Sequence, residues 1–125
     1  MDVAAAARAW VEGWTTGWQN ADPEPIAALY AEDAVFRSHP FREPERSPRE
    51  YALRSFADEE LVECRFGEPV VGGDRAAVEY WAILRVDSDE ETLAGVALLR
   101  FGPDGRVVGQ RDYWSMQPGR HEPNF

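Results

Sequence analysis

The sequence predicts a single-domain α+β protein, with three N-terminal helices packed on a strongly curved, mainly antiparallel sheet. Its 125 residues fit one domain with one hydrophobic core, so we expect residues 1–125 to fold together. Apolar side chains recur at helical spacing in the first half and alternate with polar ones in the second half. Helices followed by a run of strands are typical of α+β folds, and the expected cone leaves an internal pocket between its layers.

Two helices are predicted at the N-terminus. The first runs from Val3 to Asn20, with Asp2 as its N-cap. The second begins at Asp22-Pro23, where the acid caps the helix and proline takes its first position. The first helix carries an aromatic stripe at Trp10, Trp14 and Trp18. The buried face of the second consists of Ile26, Leu29 and Tyr30.

A short strand and a third helix follow. The strand is predicted over Ala34 to Ser38, and His39-Pro40 continues in extended geometry because proline restricts the residue before it. The string Ser47-Pro48-Arg49-Glu50 is a capping box with proline at the first helical position. It predicts a helix from Ser47 to about Glu59.

The remainder predicts a four-stranded antiparallel meander, because side chains alternate from Val62 to Phe66 and apolar runs are separated by turn residues. Its last turn is marked by Pro103 and Gly105. The predicted strands are Val62 to Phe66, Ala76 to Val86, Thr92 to Phe101, and a closing strand after that turn.

The closing strand carries the most informative acid of the chain. Gln110, Asp112 and Trp114 share one face of this strand, and Arg111 and Tyr113 share the other. Aspartate is disfavoured inside strands, which favour β-branched and aromatic side chains. A carboxylate beside an indole therefore predicts the wall of a ligand pocket, where burial would raise the pKa of Asp112 towards that of a useful base.

Composition limits the partners. The net charge of −10 disfavours nucleic acid and anionic membranes. No basic-then-apolar leader and no apolar run of about 18 residues is present, so we expect a cytoplasmic protein. The single Cys64 rules out an intrachain disulfide, and the absence of lysine rules out Schiff-base chemistry on this chain. All thirteen residues counted as Lys or Arg are arginine, and Ala, Gly and Pro are abundant. This composition suggests a high-GC bacterial genome.

Two strings and the order of elements resemble the nuclear-transport-factor-2-like superfamily and its SnoaL-like domains. The strings are Tyr30-Ala31-Glu32-Asp33-Ala34 and the hairpin from Arg100-Phe101 to Trp114-Ser115. Relatives include ketosteroid isomerases, SnoaL-like polyketide cyclases and limonene-epoxide hydrolases. The resemblance implies the cone fold, an apolar small-molecule ligand and a homodimer formed through the outer sheet face.

The isomerase site does not carry over. The position of its proton-shuttling aspartate falls on Ser38, or on His39 with a shift of one residue. Its oxyanion-hole tyrosine falls near Trp14 and its protonated aspartate on Ala97, neither of which supplies the same group. The pocket-facing indole does match, at Trp114. Steroid isomerisation by that mechanism is therefore not expected.

The epoxide-hydrolase site carries over in part. Arg111-Asp112-Tyr113 looks like the Arg-Asp-Tyr of those enzymes, whose aspartate helps to activate water. Those enzymes place an arginine and a second aspartate on an earlier strand, at positions that fall near Glu79 and Trp81 here. One acid is therefore retained, and the arginine-bridged pair of acids is not. That alignment turns Glu79 inward, whereas the isomerase alignment turns Tyr80 inward. The sequence leaves both orientations open.

Three residues are candidates for acid–base catalysis: Asp112 as base or water activator, with His39 or Glu79 as the complementary acid. The alternatives are an arginine-paired or solvated Asp112, a loop histidine bonded to backbone, and a Glu79 on the outer, dimer-forming face. As a one-histidine, two-carboxylate set they would also ligate a metal, but no local ligand spacing supports this. We expect neither a metal nor a cofactor.

The expected pocket wall is aromatic. Tyr51 is a candidate hydrogen-bond donor to an oxyanion, although tryptophans at helical spacing are more often core. The predicted substrate-binding residues are Trp14, Tyr30, Phe36, Tyr51, Trp81, Ala97, Gln110 and Trp114.

The sequence therefore predicts a small-molecule enzyme that uses a carboxylate base on an apolar substrate. The reaction classes open to such a site are isomerisation, cyclisation, dehydration and hydrolysis. The alternative is a non-catalytic ligand-binding or dimerisation module of the same fold.

Overall fold

The computed structural model describes residues 1–125 and confirms the α+β architecture, with three helices on a curved, open sheet of six strands. The helices are α1 (Val3–Asn20), α2 (Glu24–Ala27) and α3 (Pro48–Asp58). The strands are β1 (Tyr30–Arg37), β2 (Glu60–Phe66), β3 (Val70–Gly72), β4 (Arg75–Val86), β5 (Asp89–Phe101) and β6 (Val107–Pro118). No helix has the length and apolar character needed to cross a bilayer.

The sheet has the strand order β1-β6-β5-β4-β2, with β3 also paired to β4. Every pairing is antiparallel except that of β1 with β6, which is parallel. The long ladder places Ala97 opposite Asp112 and Gly95 opposite Trp114. The closing hairpin turns at Gly105, whose φ of 82° favours glycine.

The first and third helices begin where their caps predict. The Asp2 carboxylate accepts a hydrogen bond from the Ala5 N–H at 3.1 Å. The Ser47 hydroxyl oxygen accepts one from the Glu50 N–H at 3.0 Å. Each side chain satisfies a backbone donor that the first turn of a helix leaves free.

The second helix is much shorter than predicted and ends at Ala27. Tyr30 is not on its buried face but begins β1, where it pairs with Val107 of β6. The carbonyl of Leu29 accepts the Val107 N–H at 2.9 Å. Pairing with β6 therefore makes the backbone extended at Tyr30, where the i, i+3, i+4 pattern predicted another helical turn.

The core lies between α1 and the inner face of the sheet. Glycine at position 17 brings α2 close, because a Cβ there would lie 2.8 Å from the Ile26 side chain. On the outer face, the residues after β6 cross one end of the sheet and bond to Thr92. The largest buried core side chains include Trp10, Ile26, Phe36, Val78, Leu99, Phe101 and Val107.

Candidate functional site

A cavity of about 430 Å³ lies between α1, α3 and the inner face of the sheet. Ten of its eighteen lining residues are hydrophobic. The lining includes all three tryptophans of α1 and one tryptophan of β6, together with one tyrosine each from α3 and β4. The aromatic and carboxyl lining consists of Trp10, Trp14, Trp18, Tyr51, Phe56, Phe66, Tyr80, Trp114, Glu45, Asp58, Glu59 and Asp112.

The alternation along β6 turns Asp112 into this cavity, as the sequence predicts. Gln110 and Asp112 are buried, with 2 % and 8 % of their surface exposed, and Trp114 also lines the cavity. Arg111 and Tyr113 are exposed on the other face of the strand. None of the ion pairs in the protein involves Asp112, so the arginine-paired alternative is wrong.

The environment of Asp112 favours its neutral form. Burial raises its pKa from 3.8 to about 7, because the charged carboxylate loses hydration. Hydrogen bonding by Gln110 and the neighbouring Tyr80 hydroxyl lowers the pKa but only partly offsets burial. The carboxyl is therefore poised to exchange a proton near neutral pH.

A chain of buried hydrogen bonds fixes the side-chain amide of Gln110. Its Oε1 accepts from the Tyr30 hydroxyl and from the Trp10 indole, the latter at 3.1 Å. The Tyr30 oxygen in turn accepts from the Trp14 indole at 3.0 Å. With Oε1 occupied by donors, Nε2 must face Asp112, and it donates to Oδ1 at 2.9 Å. Trp10 and Trp14 thus orient the Gln110 amide as a donor to the charged form of Asp112.

Replacing Gln110 with methionine is expected to raise the pKa of Asp112 above about 7, because the amide no longer supports the carboxylate. The acidic limb of the pH–rate profile would move to higher pH. The Tyr30 hydroxyl would also lose its acceptor, costing about 1–3 kcal/mol of unfolding free energy. Gln117→Met, at an exposed position on the same strand, is the matched control. An unmoved limb in Gln110→Met would show that the amide does not tune the acid.

Two tyrosine hydroxyls share the cavity with Asp112. Burial raises the pKa of Tyr51 to about 12 and that of Tyr80 further, and the nearby Asp112 charge acts in the same direction. Both therefore stay protonated and available as hydrogen-bond donors. Gly95 makes room for this arrangement, because a Cβ there would lie 2.8 Å from Cζ of Tyr80 and 2.7 Å from Cβ of Trp114.

The structure places Glu79 outside the cavity. The pairing of β4 turns Tyr80 inward and buries it, and Glu79 is exposed on the outer face. Trp81 lies on the same outer side, where its indole donates to the His121 carbonyl at 2.8 Å. The predictions of Glu79 as an acid and Trp81 as a pocket residue are therefore wrong, since one register sets both side chains.

His39 also does not line the cavity. Its ring packs edge-on against the Trp114 indole, with centroids 4.7 Å apart, and Nδ1 accepts the Phe41 N–H at 3.3 Å. The Trp114 indole donates to the Ser38 carbonyl at 2.6 Å. His39 therefore supports the pocket tryptophan rather than meeting a ligand. With Glu79 outside as well, the three residues considered as metal ligands do not come together.

Of the other residues predicted to bind substrate, four line the cavity and three are buried behind the lining. Trp14, Tyr51, Gln110 and Trp114 line the cavity. Tyr30, Phe36 and Ala97 are buried behind this lining, with the Phe36 ring 5.0 Å from that of Tyr51 and 5.9 Å from that of Tyr30. Ala97 leaves space next to its cross-strand partner Asp112.

The cavity mouth contains charged residues that the sequence did not single out. Arg54 forms an ion pair with Glu45 at 2.6 Å, and Glu45 also accepts from the Ser38 hydroxyl. Arg42 lies over the Trp114 ring, 5.3 Å from its centroid. Partial burial raises the pKa of Glu59 beside them. Most of these residues come from the loop before α3 and from α3 itself. The alternation of side chains that indicates the pocket face of a strand does not apply to these segments.

Comparisons with known proteins agree on the fold. A family model described as a SnoaL-like domain matches residues 7–110. One similar solved structure is that of SalBIII, an epoxide hydrolase/cyclase-like enzyme with a role in pyran ring formation in the polyether salinomycin. It superposes with a TM-score of 0.80 at 16% sequence identity, and the match covers 94% of this chain and 98% of that one. No curated protein sequence gives a match.

Two further solved structures share the architecture. An LEH-like epoxide hydrolase from M. tuberculosis has a TM-score of 0.69 at 22% identity, over 88% of this chain and 82% of its own. A computationally designed 17-OHP binder has a TM-score of 0.72 at 20% identity, over 91% and 98%. At these identities the likeness shows a common fold.

Proposed function

The chain belongs to the SnoaL-like domain family, and from that premise we propose that it is a small-molecule enzyme whose general base is Asp112. The observation that carries the proposal is a carboxyl in an aromatic cavity with its pKa raised to about 7. A group of this pKa takes a proton and returns it at neutral pH with little driving force lost in either direction. It needs no second acid, which fits the position of Glu79 and His39 outside the cavity.

The tyrosines supply the complementary half of the chemistry. Abstraction of a proton next to a carbonyl places negative charge on the carbonyl oxygen. Neutral hydroxyls of Tyr80 and Tyr51 in the same cavity are suited to donate hydrogen bonds to that oxygen. Isomerisation, aldol-type cyclisation and dehydration all begin with this step, whereas hydrolysis would use Asp112 on a water molecule.

The cavity indicates the substrate class. Its volume of about 430 Å³ falls within the usual range for small-molecule sites. The tryptophan and tyrosine walls favour a flat, cyclic or aromatic compound with few polar groups. We therefore propose an apolar cyclic ketone or enone as substrate, bound without a cofactor.

A non-catalytic ligand-binding module is the second candidate. The designed 17-OHP binder supports it, because that protein shares this fold and its function is binding. The two candidates differ in one property: an enzyme must exchange a proton with the bound ligand.

Exchange of α-hydrogens in D2O tests both candidates with a panel of cyclic ketones. Proton NMR follows the exchange, and quenching of the cavity tryptophans follows binding. The enzyme is expected to bind at least one ketone and accelerate its exchange. Binding without exchange favours the binding module, and absence of both would overturn an apolar-ketone site.

A further inference from the structure

One guanidinium at the cavity mouth has no carboxylate partner. Arg42 lies in the loop between β1 and α3 and lines the cavity. None of the ion pairs of the chain includes Arg42. Arg54, the other arginine of the lining, is paired with Glu45. The charge of Arg42 is therefore the one that is available to a ligand entering the cavity.

Neighbouring side chains hold the Arg42 guanidinium in place. It lies over the Trp114 ring, 5.3 Å from the ring centroid. One of its N–H groups donates to the Ser38 hydroxyl oxygen at 3.2 Å. That hydroxyl gives its own hydrogen to Glu45 at 2.6 Å, so its oxygen is left to accept from Arg42. Because a guanidinium carries five N–H donors, most of them stay free for a ligand.

The backbone of the loop that carries Arg42 is fixed as well. The Arg42 N–H donates to the His39 carbonyl at 3.1 Å, and the Glu45 N–H donates to the Phe36 carbonyl of β1 at 2.8 Å. The guanidinium is thus oriented before any ligand arrives. Less conformational entropy is lost when such a preorganised group binds an anion.

The acids of the cavity mouth do not cancel this charge. Asp58 is exposed to solvent, which screens it. Burial raises the pKa of Tyr51 and of Glu59, and the Arg42 charge acts in the opposite direction on both. The field of Arg42 therefore reaches side chains that line the cavity, although no carboxylate is paired with it.

We propose that the substrate carries a carboxylate that Arg42 binds at the cavity mouth, so that the ligand is a cyclic keto acid. This inference rests on the proposed function, which places the ketone beside Asp112. Asp112 and Trp114 are two residues apart on one face of β6, a separation of about 7 Å. A six-membered ring with one substituent spans a comparable distance. Its carbonyl then reaches the acid while its carboxylate meets the guanidinium over Trp114, where two parallel N–H···O bonds are possible.

Matched ligands test this assignment by quenching of the cavity tryptophans. The probes are a cyclohexanone with a carboxylate opposite the ketone, its neutral methyl ester, and the corresponding primary amine, a cation at neutral pH. The wild-type chain is expected to bind the carboxylate about 10- to 100-fold more tightly than the ester, because hydrogen bonds between charged groups are strong. The amine is expected to bind no better than the ester. Added salt should weaken binding of the carboxylate and leave that of the ester unchanged.

Arg42→Gln is expected to abolish the preference for the carboxylate and to leave binding of the ester within about twofold of wild type. Arg46→Gln, at an exposed position of the same loop outside the cavity lining, is the matched control and should bind like wild type. Circular dichroism checks folding of both variants. A wild-type chain that binds the ester or the amine as tightly as the carboxylate would overturn the proposal. So would a preference that survives in folded Arg42→Gln.

Exchange of α-hydrogens in D2O separates this inference from the proposed function. If wild type exchanges the ester and shows no preference for the carboxylate, Arg42 loses its role and Asp112 keeps its own. If wild type prefers the carboxylate but exchanges none of the ketones, the anion site stands and belongs to a binding module.

Discussion

Asp112→Asn is expected to lower the rate of α-hydrogen exchange by about 10²–10⁴-fold, the usual contribution of a positioned general base. Asparagine has nearly the same shape, and its oxygen still accepts from Gln110 Nε2. Its side chain takes up no proton near neutral pH. Ligand affinity, measured by tryptophan quenching, should therefore change little while exchange is lost.

Asp33→Asn is the matched control, because Asp33 is exposed on β1 and forms no ion pair. It is expected to exchange at the wild-type rate. Asp112→Asn that retains most of the exchange activity would remove Asp112 from the reaction. Loss of binding together with exchange would instead assign Asp112 to ligand recognition.

The same substitution is expected to make the fold more stable above pH 7. In the folded wild type the pKa of Asp112 is about 7, against an ordinary value of 3.8 when exposed. Between these values the folded state binds a proton that the unfolded state releases, so the free energy of unfolding falls as pH rises from about 4 to about 7. The contribution is fully present below pH 3.8 and is lost above pH 7, a change on the order of 4 kcal/mol.

Urea unfolding of wild type and Asp112→Asn at several pH values measures this difference directly. Other groups titrate in both proteins, so their contribution cancels when the two are subtracted. The stability of the variant relative to wild type is expected to rise between pH 4 and pH 7 and to stay level above it. A constant difference across this range would mean that Asp112 ionises as readily in the folded state as in water.

The sequence predicted those parts of the site that depend on which residues share one face of a strand. Alternation in β6 places Gln110, Asp112 and Trp114 on one face of the strand, and the structure turns that face towards the cavity. In β4 both faces are largely apolar, so the pattern gave no preference between Glu79 and Tyr80. Only pairing with β2 and β5 decides it.

Other features depend on contacts between distant segments. Tyr30 has helical spacing but joins β1, because parallel pairing with β6 determines the backbone there. Its hydrogen bond to Gln110 links residues eighty positions apart. His39 precedes the loop that reaches the cavity mouth, and packing against Trp114 sets its orientation. None of these contacts leaves a periodic signal in the sequence.

Carbon-13 NMR titration of the aspartate carboxyl groups, with Asp112→Asn to assign the signal, tests the central claim most directly. The proposed function requires the Asp112 signal to titrate near pH 7, well above the exposed aspartates. A midpoint at the ordinary aspartate value of 3.8 would show a carboxyl that stays charged at neutral pH, and would contradict the proton-exchanging role assigned to it.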